Sequence, residues 1–283
     1  MQSIELSIGG RVRRAHISRP PREGVLPAVV MLHGAGGTAR LAADQTGWAA
    51  RSSAEGFIAA FPEGTARDPS APPDFLRNPQ TWNDGSGRGH VARAAVDDVA
   101  FVAALLDRLV EAGADPHALF VTGFSNGGSL AFRVGTELAD RVAAIAPVAG
   151  HCWVEPGPGA VVPLLYLIGD ADPLNPIEGG TVRTPWGSVE EHPAPRRSLE
   201  RWAGAAGCRL EETSRDEGGV RWSGPVGCPV PMAMGVIHGH GHIWPGGPRL
   251  LPEPLVGRAA RALRATDAIW HFFRDRLAGR GVQ

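Results

Sequence analysis

Along this chain, short unbroken apolar runs alternate with longer segments in which apolar residues return every three or four positions. Val25 to Leu32, Phe57 to Phe61, Leu119 to Thr122, Val142 to Val148 and Val162 to Ile168 have the length and continuity of buried strands. Helical spacing fills the intervals. Leu41 to Glu55 reads as one helix, and Val99, Val102, Leu106 and Val110 make one apolar face of a helix from Val96 to Glu111. Asp115-Pro116 marks a turn ahead of the strand at Leu119. Leu130, Val134 and Leu138 recur at four-residue steps in the next helix. A last helix, about Gly257 to Ala278, presents Leu263, Ile269 and Phe273. This alternation predicts an α/β fold with a mostly parallel central sheet flanked by helices.

Two Pro/Gly-rich stretches, Pro62 to Gly89 and Pro173 to Pro195, interrupt the order. Both are too long for simple connections and read as binding-site loops or insertions. Strand–helix alternation resumes after each, so neither is a linker. Residues 1–283 therefore read as a single domain without a separate lid domain.

Composition narrows the chemistry. A formal net charge of −1 gives no electrostatic reason to expect nucleic acid or an anionic membrane as partner. All 28 basic residues are Arg, which excludes a Walker A loop, a lysine Schiff base and a Ser-x-x-Lys hydrolase. No run approaches the roughly 20 apolar residues of a membrane-spanning helix. The first twenty residues lack the apolar core of a secretory signal, which leaves the compartment open. Cys152, Cys208 and Cys228 have no Cys-x-x-Cys spacing, so a cysteine-built zinc site is not expected. Cys208 and Cys228 flank two short segments suited to a hairpin, where either a disulfide or two reduced thiols would fit.

Gly123-Phe124-Ser125-Asn126-Gly127 is a Gly-x-Ser-x-Gly sequence between a strand and an amphipathic helix. That setting is the one a nucleophile elbow requires, with near side-chain-free positions on both sides of a tight turn. An acyl-transfer reaction also needs two preorganised donors for the oxyanion. The N–H of Asn126 supplies one, and the loop His33-Gly34-Ala35-Gly36-Gly37 after an early strand supplies the other through Ala35. Glycines 34 and 36 let that backbone approach a substrate carbonyl. His33 reads as structural, its ring bonded within the loop.

In such a fold the triad runs Ser, Asp, His along the chain. Gly169-Asp170-Ala171-Asp172-Pro173 follows a strand and offers two acids. Asp172 is preferred, because Asp170 lies close to the strand end and suits a turn cap. The histidine lies within His238-Gly239-His240-Gly241-His242, whose alternating rings also admit a zinc reading.

Taken together, these segments resemble the polyhydroxybutyrate depolymerase-like esterases, a family similar to feruloyl esterases. The resemblance rests on Leu32-His33-Gly34, Thr81-Trp82-Asn83-Asp84-Gly85 and Val96 to Phe101. It continues through Thr122 to Gly128, Ala146-Pro147-Val148, Gly169 to Pro173 with Gly179-Gly180, and Gly241-His242-Ile243-Trp244-Pro245-Gly246-Gly247. The pieces keep family order over roughly residues 25 to 273. The resemblance implies an α/β-hydrolase fold with Ser125, Asp172 and His242 as the triad, and it places Trp82 near the acyl or alcohol pocket. Gly34, Gly36, Trp82 and Trp244 are the expected substrate contacts. Asp97 and Asp98 read as helix caps. Many relatives carry cysteines where this chain has Ala35 and Thr81, so a disulfide there is not expected.

The function this implies is hydrolysis of polyhydroxyalkanoate-type, feruloyl, acetyl or related polyester esters through an acyl-enzyme, with no metal or organic cofactor. An amidase or peptidase on the same scaffold, a metal hydrolase using the three histidines and a non-catalytic binding protein are the rival expectations.

Overall fold

The computed structural model describes residues 1–159, 161–210 and 214–278. The chain opens with the hairpin β1 (Gln2–Ile8) and β2 (Arg11–Ser18), then β3 (Leu26–Leu32), α1 (Ala39–Thr46), α2 (Trp48–Glu55) and β4 (Ile58–Pro62). The first long insertion holds a small ribbon, β5 (Thr65–Ala66) with β6 (Gln80–Thr81). Next come α3 (Gly89–Arg93), α4 (Asp98–Glu111), β7 (Ala114–Phe124), α5 (Asn126–Glu137), β8 (Ala144–Val148) and β9 (Leu164–Gly169). The second insertion forms the hairpin β10 (Gly180–Arg183) and β11 (Val189–His192). The chain continues with α6 (Arg196–Ala205), β12 (Ser214–Glu217), β13 (Val220–Ser223), β14 (Met232–Ile237), α7 (Glu253–Val256) and α8 (Ala265–Ala278).

The main sheet has ten strands in the order β1-β2-β4-β3-β7-β8-β9-β14-β13-β12. Its centre, from β4 to β14, is parallel, and hairpins close both edges with antiparallel pairs. Because side chains alternate along a strand, β3 serves two cores. Val30 and Leu32 pack with Val102, Leu130 and Leu199 of α4, α5 and α6, while Val29 and Met31 pack with Trp48, Ile269 and Phe273 of α2 and α8. Central strands buried on both faces explain the near-continuous apolar runs.

Several sequence expectations shift in detail. The helix expected over Leu41 to Glu55 is two helices, broken at Gly47, which takes φ 73°. α8 starts only at Ala265, leaving Leu263 on the preceding loop but still packed against the core. β7 already includes Asp115-Pro116, yet its pairing with β3 jumps from Ala114 to Leu119. There the Asp115 carboxylate accepts from His117 N–H at 2.8 Å, a turn folded into the strand. A disulfide joins Cys208 to Cys228 around the β12–β13 hairpin. Among the described residues no helix is long and apolar enough to cross a membrane.

Candidate active site

The expected triad and oxyanion-hole residues lie at the carboxyl ends of parallel strands, where open α/β sheets place their ligands. The loop Gly34 to Gly37 follows β3, Ser125 follows β7, Asp172 follows β9 and His242 follows β14. Ser125 makes the whole turn between β7 and α5, at φ 55° and ψ −121°. That conformation costs a residue with a side chain about 1–3 kcal/mol. Val148 O holds the turn by accepting from Ser125 N–H at 2.8 Å. A Cβ on Gly123 would stand 2.2 Å from Gly127 O, and one on Gly127 would stand 2.4 Å from both Leu32 O and His33 O. The two glycines let the elbow close and press α5 onto the end of β3.

The three side chains form one hydrogen-bonded chain. His242 Nε2 lies 2.8 Å from Ser125 Oγ, and His242 Nδ1 lies 2.7 Å from Asp172 Oδ2. The other oxygen of Asp172 accepts from Leu174 N–H at 2.8 Å and Asn175 N–H at 2.9 Å. The carboxylate is fully buried with both oxygens taken up in hydrogen bonds, and its Oδ2 holds the imidazole proton on Nδ1. Nε2 is then free to accept from the serine hydroxyl.

The neighbouring groups have other partners. Asp170 accepts from Gly239 N–H at 2.7 Å and from His238 Nδ1 at 2.9 Å, as a turn cap does. Hydrogen bonds to Asp216 and then to Asp170 raise the His238 pKa. His240 receives Ala260 N–H on Nδ1 and donates from Nε2 to Ile243 O at 2.9 Å, and burial lowers its pKa. The three alternating histidines thus turn to three separate partner sets. Among the described residues no group of three or more His, Cys, Asp or Glu is placed to hold a metal.

The loop after β3 is held by its own ring. His33 Nδ1–H donates to Gly34 O at 2.8 Å, while Gly64 N–H donates to Nε2 at 2.9 Å. Gly36 N–H is taken by Gln80 O and Gly37 N–H by Gly34 O. Among the described residues no acceptor takes Ala35 N–H. Asn126 N–H opens α5, an end whose first N–H groups have no intrahelical acceptor.

Trp82 does not line the cavity beside Ser125. It is buried, and its indole N–H donates to His33 O at 2.8 Å. The Asn126 side chain clasps the Trp82 backbone, accepting from its N–H at 2.7 Å and donating to its carbonyl at 3.1 Å. Trp82 therefore fastens the first insertion to both the elbow and the β3 loop. Gly34, Gly36 and Trp244 do line that cavity, which measures about 320 Å³. Asp97 caps α4 by accepting from Ala100 N–H, and buried Asp98 binds Arg13 at 2.7 Å and Asn83 N–H at 2.6 Å.

Three residues near the site were not singled out in the sequence: Asn175, Phe75 and Trp186. Asn175 donates from Nδ2 to Ala149 O at 2.6 Å and accepts on Oδ1 from His151 Nε2 at 2.7 Å and His192 Nδ1 at 3.1 Å. Phe75 and Trp186 line the cavity from the two long insertions. The sequence marked those segments as binding-site loops or insertions, but nothing in their composition marked these residues.

Burial, and then the charge of His192, pushes the His151 imidazole down to about 3. Against an unfolded value of about 6.5, the folded chain binds fewer protons between those pH values. The stability that neutral His151 contributes is therefore complete above pH 6.5 and lost as pH falls towards 3. By pH 4 the loss amounts to about 3 kcal/mol. Urea unfolding of the wild type and His151→Gln at pH 7 and pH 4 checks this. The wild type should lose about 3 kcal/mol more than the variant over that interval, and equal losses would contradict it.

Residues 16–177 match the family described as phospholipase/carboxylesterase. The chain is 31% identical over 295 residues to NocK, an assumed esterase of Nocardia uniformis subsp. tsuyamanensis, covering 95% of this chain and 81% of that one. It is 27% identical over 175 residues to feruloyl esterase B of Piromyces equi, covering 58% of this chain and 29% of that protein. An acetyl xylan esterase from Aspergillus awamori shares the fold, with a TM-score of 0.61 at 14% identity over 86% of this chain and 94% of that one. Family match, relatives and sheet agree, and the chain belongs to the phospholipase/carboxylesterase family of α/β-hydrolases.

Proposed function

We propose that this chain is a serine esterase that cleaves carboxylic esters through an acyl-enzyme. The observation that carries the reading is the Ser125–His242–Asp172 chain, 2.8 Å and 2.7 Å long in its two links, at the edge of a substrate-sized cavity. His242 takes the proton of Ser125 as Oγ attacks the ester carbonyl. Ala35 N–H and Asn126 N–H receive the oxyanion, and His242 returns the proton to the departing alcohol. Water enters by the same steps and frees the acid, while Asp172 holds the imidazole and stabilises its charged form. No step calls on a metal or organic cofactor. The continuous ten-stranded sheet supports reading the chain as a single domain.

The substrate set is the one drawn from the resemblance to polyhydroxybutyrate depolymerase-like enzymes and from feruloyl esterase relatives: polyhydroxyalkanoate-type, feruloyl, acetyl or related polyester esters. Turnover of p-nitrophenyl acetate against p-nitroacetanilide, with and without a serine-directed fluorophosphonate, tests it. Ester cleavage that the fluorophosphonate abolishes is the expected result. Faster cleavage of the anilide would replace the reading with an amidase, and ester cleavage untouched by the inhibitor would remove the serine mechanism.

A further inference from the structure

The cavity beside Ser125 has carbon-rich walls that include Leu41, Leu174, Trp244 and Leu250. Its roof comes from two insertions distant in sequence. Trp186, at the tip of the β10–β11 hairpin, meets Phe75 of the first insertion with ring centroids 5.3 Å apart. The indole N–H donates to Phe75 O at 2.7 Å, which ties the two insertions together. Both rings rest on Gly36, which takes φ 75°. A Cβ there would stand 2.5 Å from the Phe75 ring and 3.1 Å from Trp186.

The base of the hairpin is fixed as well. Glu190 pairs with Arg88 at 2.5 Å, and the Arg88 guanidinium lies 4.3 Å from the Trp153 ring centroid. His192 donates to Asn175, whose own N–H holds Asp172. One hairpin therefore joins the carboxylate loop to the roof of the cavity. At the rim Trp186 remains 37% exposed and Leu250 54% exposed, apolar surface that an apolar ligand would cover.

Resting on the serine-esterase reading above, we infer that Phe75 and Trp186 set acyl specificity by roofing a pocket for a bulky apolar acyl group, aliphatic or aryl. An acetyl group would leave most of the 320 Å³ empty. The acyl group, rather than the alcohol, belongs under the roof because it stays on Ser125 through both half-reactions. The alcohol departs midway and needs an open path. Burying each further methylene is worth about fourfold in kcat/KM until the pocket is filled.

The test is kcat/KM for p-nitrophenyl acetate, butyrate, hexanoate and octanoate, with alkyl acetates of matching alcohol length alongside. For the wild type, the octanoate-to-acetate ratio should exceed about tenfold. Trp186→Ala and Phe75→Ala should each lower that ratio about tenfold, while Val226→Ala, on an exposed loop outside the site, leaves it unchanged. A ratio at or below one in the wild type, or equal losses for all acyl lengths in the roof variants, would overturn the inference. So would a length preference confined to the alkyl acetates. Fluorophosphonate labelling of the same samples separates the two levels. Labelled protein without a length preference sinks the roof alone, and protein that neither labels nor turns over esters sinks the serine reading.

Discussion

Ser125→Ala is expected to fold normally and to lose p-nitrophenyl acetate hydrolysis by on the order of a million-fold in kcat. The loss is this large because Oγ is the attacking atom, and nothing else beside His242 Nε2 replaces it. The donors at Ala35 and Asn126 remain, so a residue of catalysis about a thousandfold over water should persist through oxyanion binding. Stability should hold, since the change removes one oxygen and leaves the backbone bond from Ser125 N–H to Val148 O in place. Steady-state kinetics beside a thermal melt read both quantities. An alanine variant within about tenfold of the wild type would show that another group attacks.

The second large effect separates two aspartates that lie two residues apart. Asp172→Asn should cost about ten-thousandfold in kcat. An amide at Asp172 presents N–H to His242 Nδ1, which moves the ring proton to Nε2, where it can no longer accept from Ser125. The two backbone donors that now meet Asp172 Oδ1 hold the side chain in place, so the loss comes from the tautomer rather than from collapse of the loop. Asp170→Asn removes charge from a half-exposed turn cap and should change kcat by less than about threefold, as surface pairs contribute little. The reverse pattern, with Asp170 essential and Asp172 dispensable, would reassign the acid.

Much of this fold was legible because its central strands are buried on both faces. Runs such as Val25 to Leu32 and Val162 to Ile168 have one reading as strands once turns and helical spacing bound them. The edge hairpins were harder. β1 and β2 alternate apolar and polar residues, with Ile4, Leu6 and Ile8 half-covered, a weaker signal than a continuous run. β14 is short and broken by Gly235, which makes room for Trp222 and Leu167, so its apolar content does not stand out. At the site, Ser125 was legible because a steric requirement for two glycines is written around it. Trp82 was harder to place, because a tryptophan in a loop looks alike whether it faces a ligand or fastens the loop. Its actual partners, His33 O and the Asn126 carboxamide, lie 49 and 44 residues away. Phe75 and Trp186 meet across 111 residues, a distance that no local pattern records.

The most direct measurement is the site of covalent capture. Folded protein is treated with a fluorophosphonate, digested, and the modified peptide identified by mass spectrometry. A single adduct on Ser125, absent from Ser125→Ala and slowed at least about a hundredfold in His242→Ala, is the result expected of a serine activated by that histidine. No adduct on folded protein, or an adduct on a different serine, would contradict the assignment of Ser125 as the nucleophile.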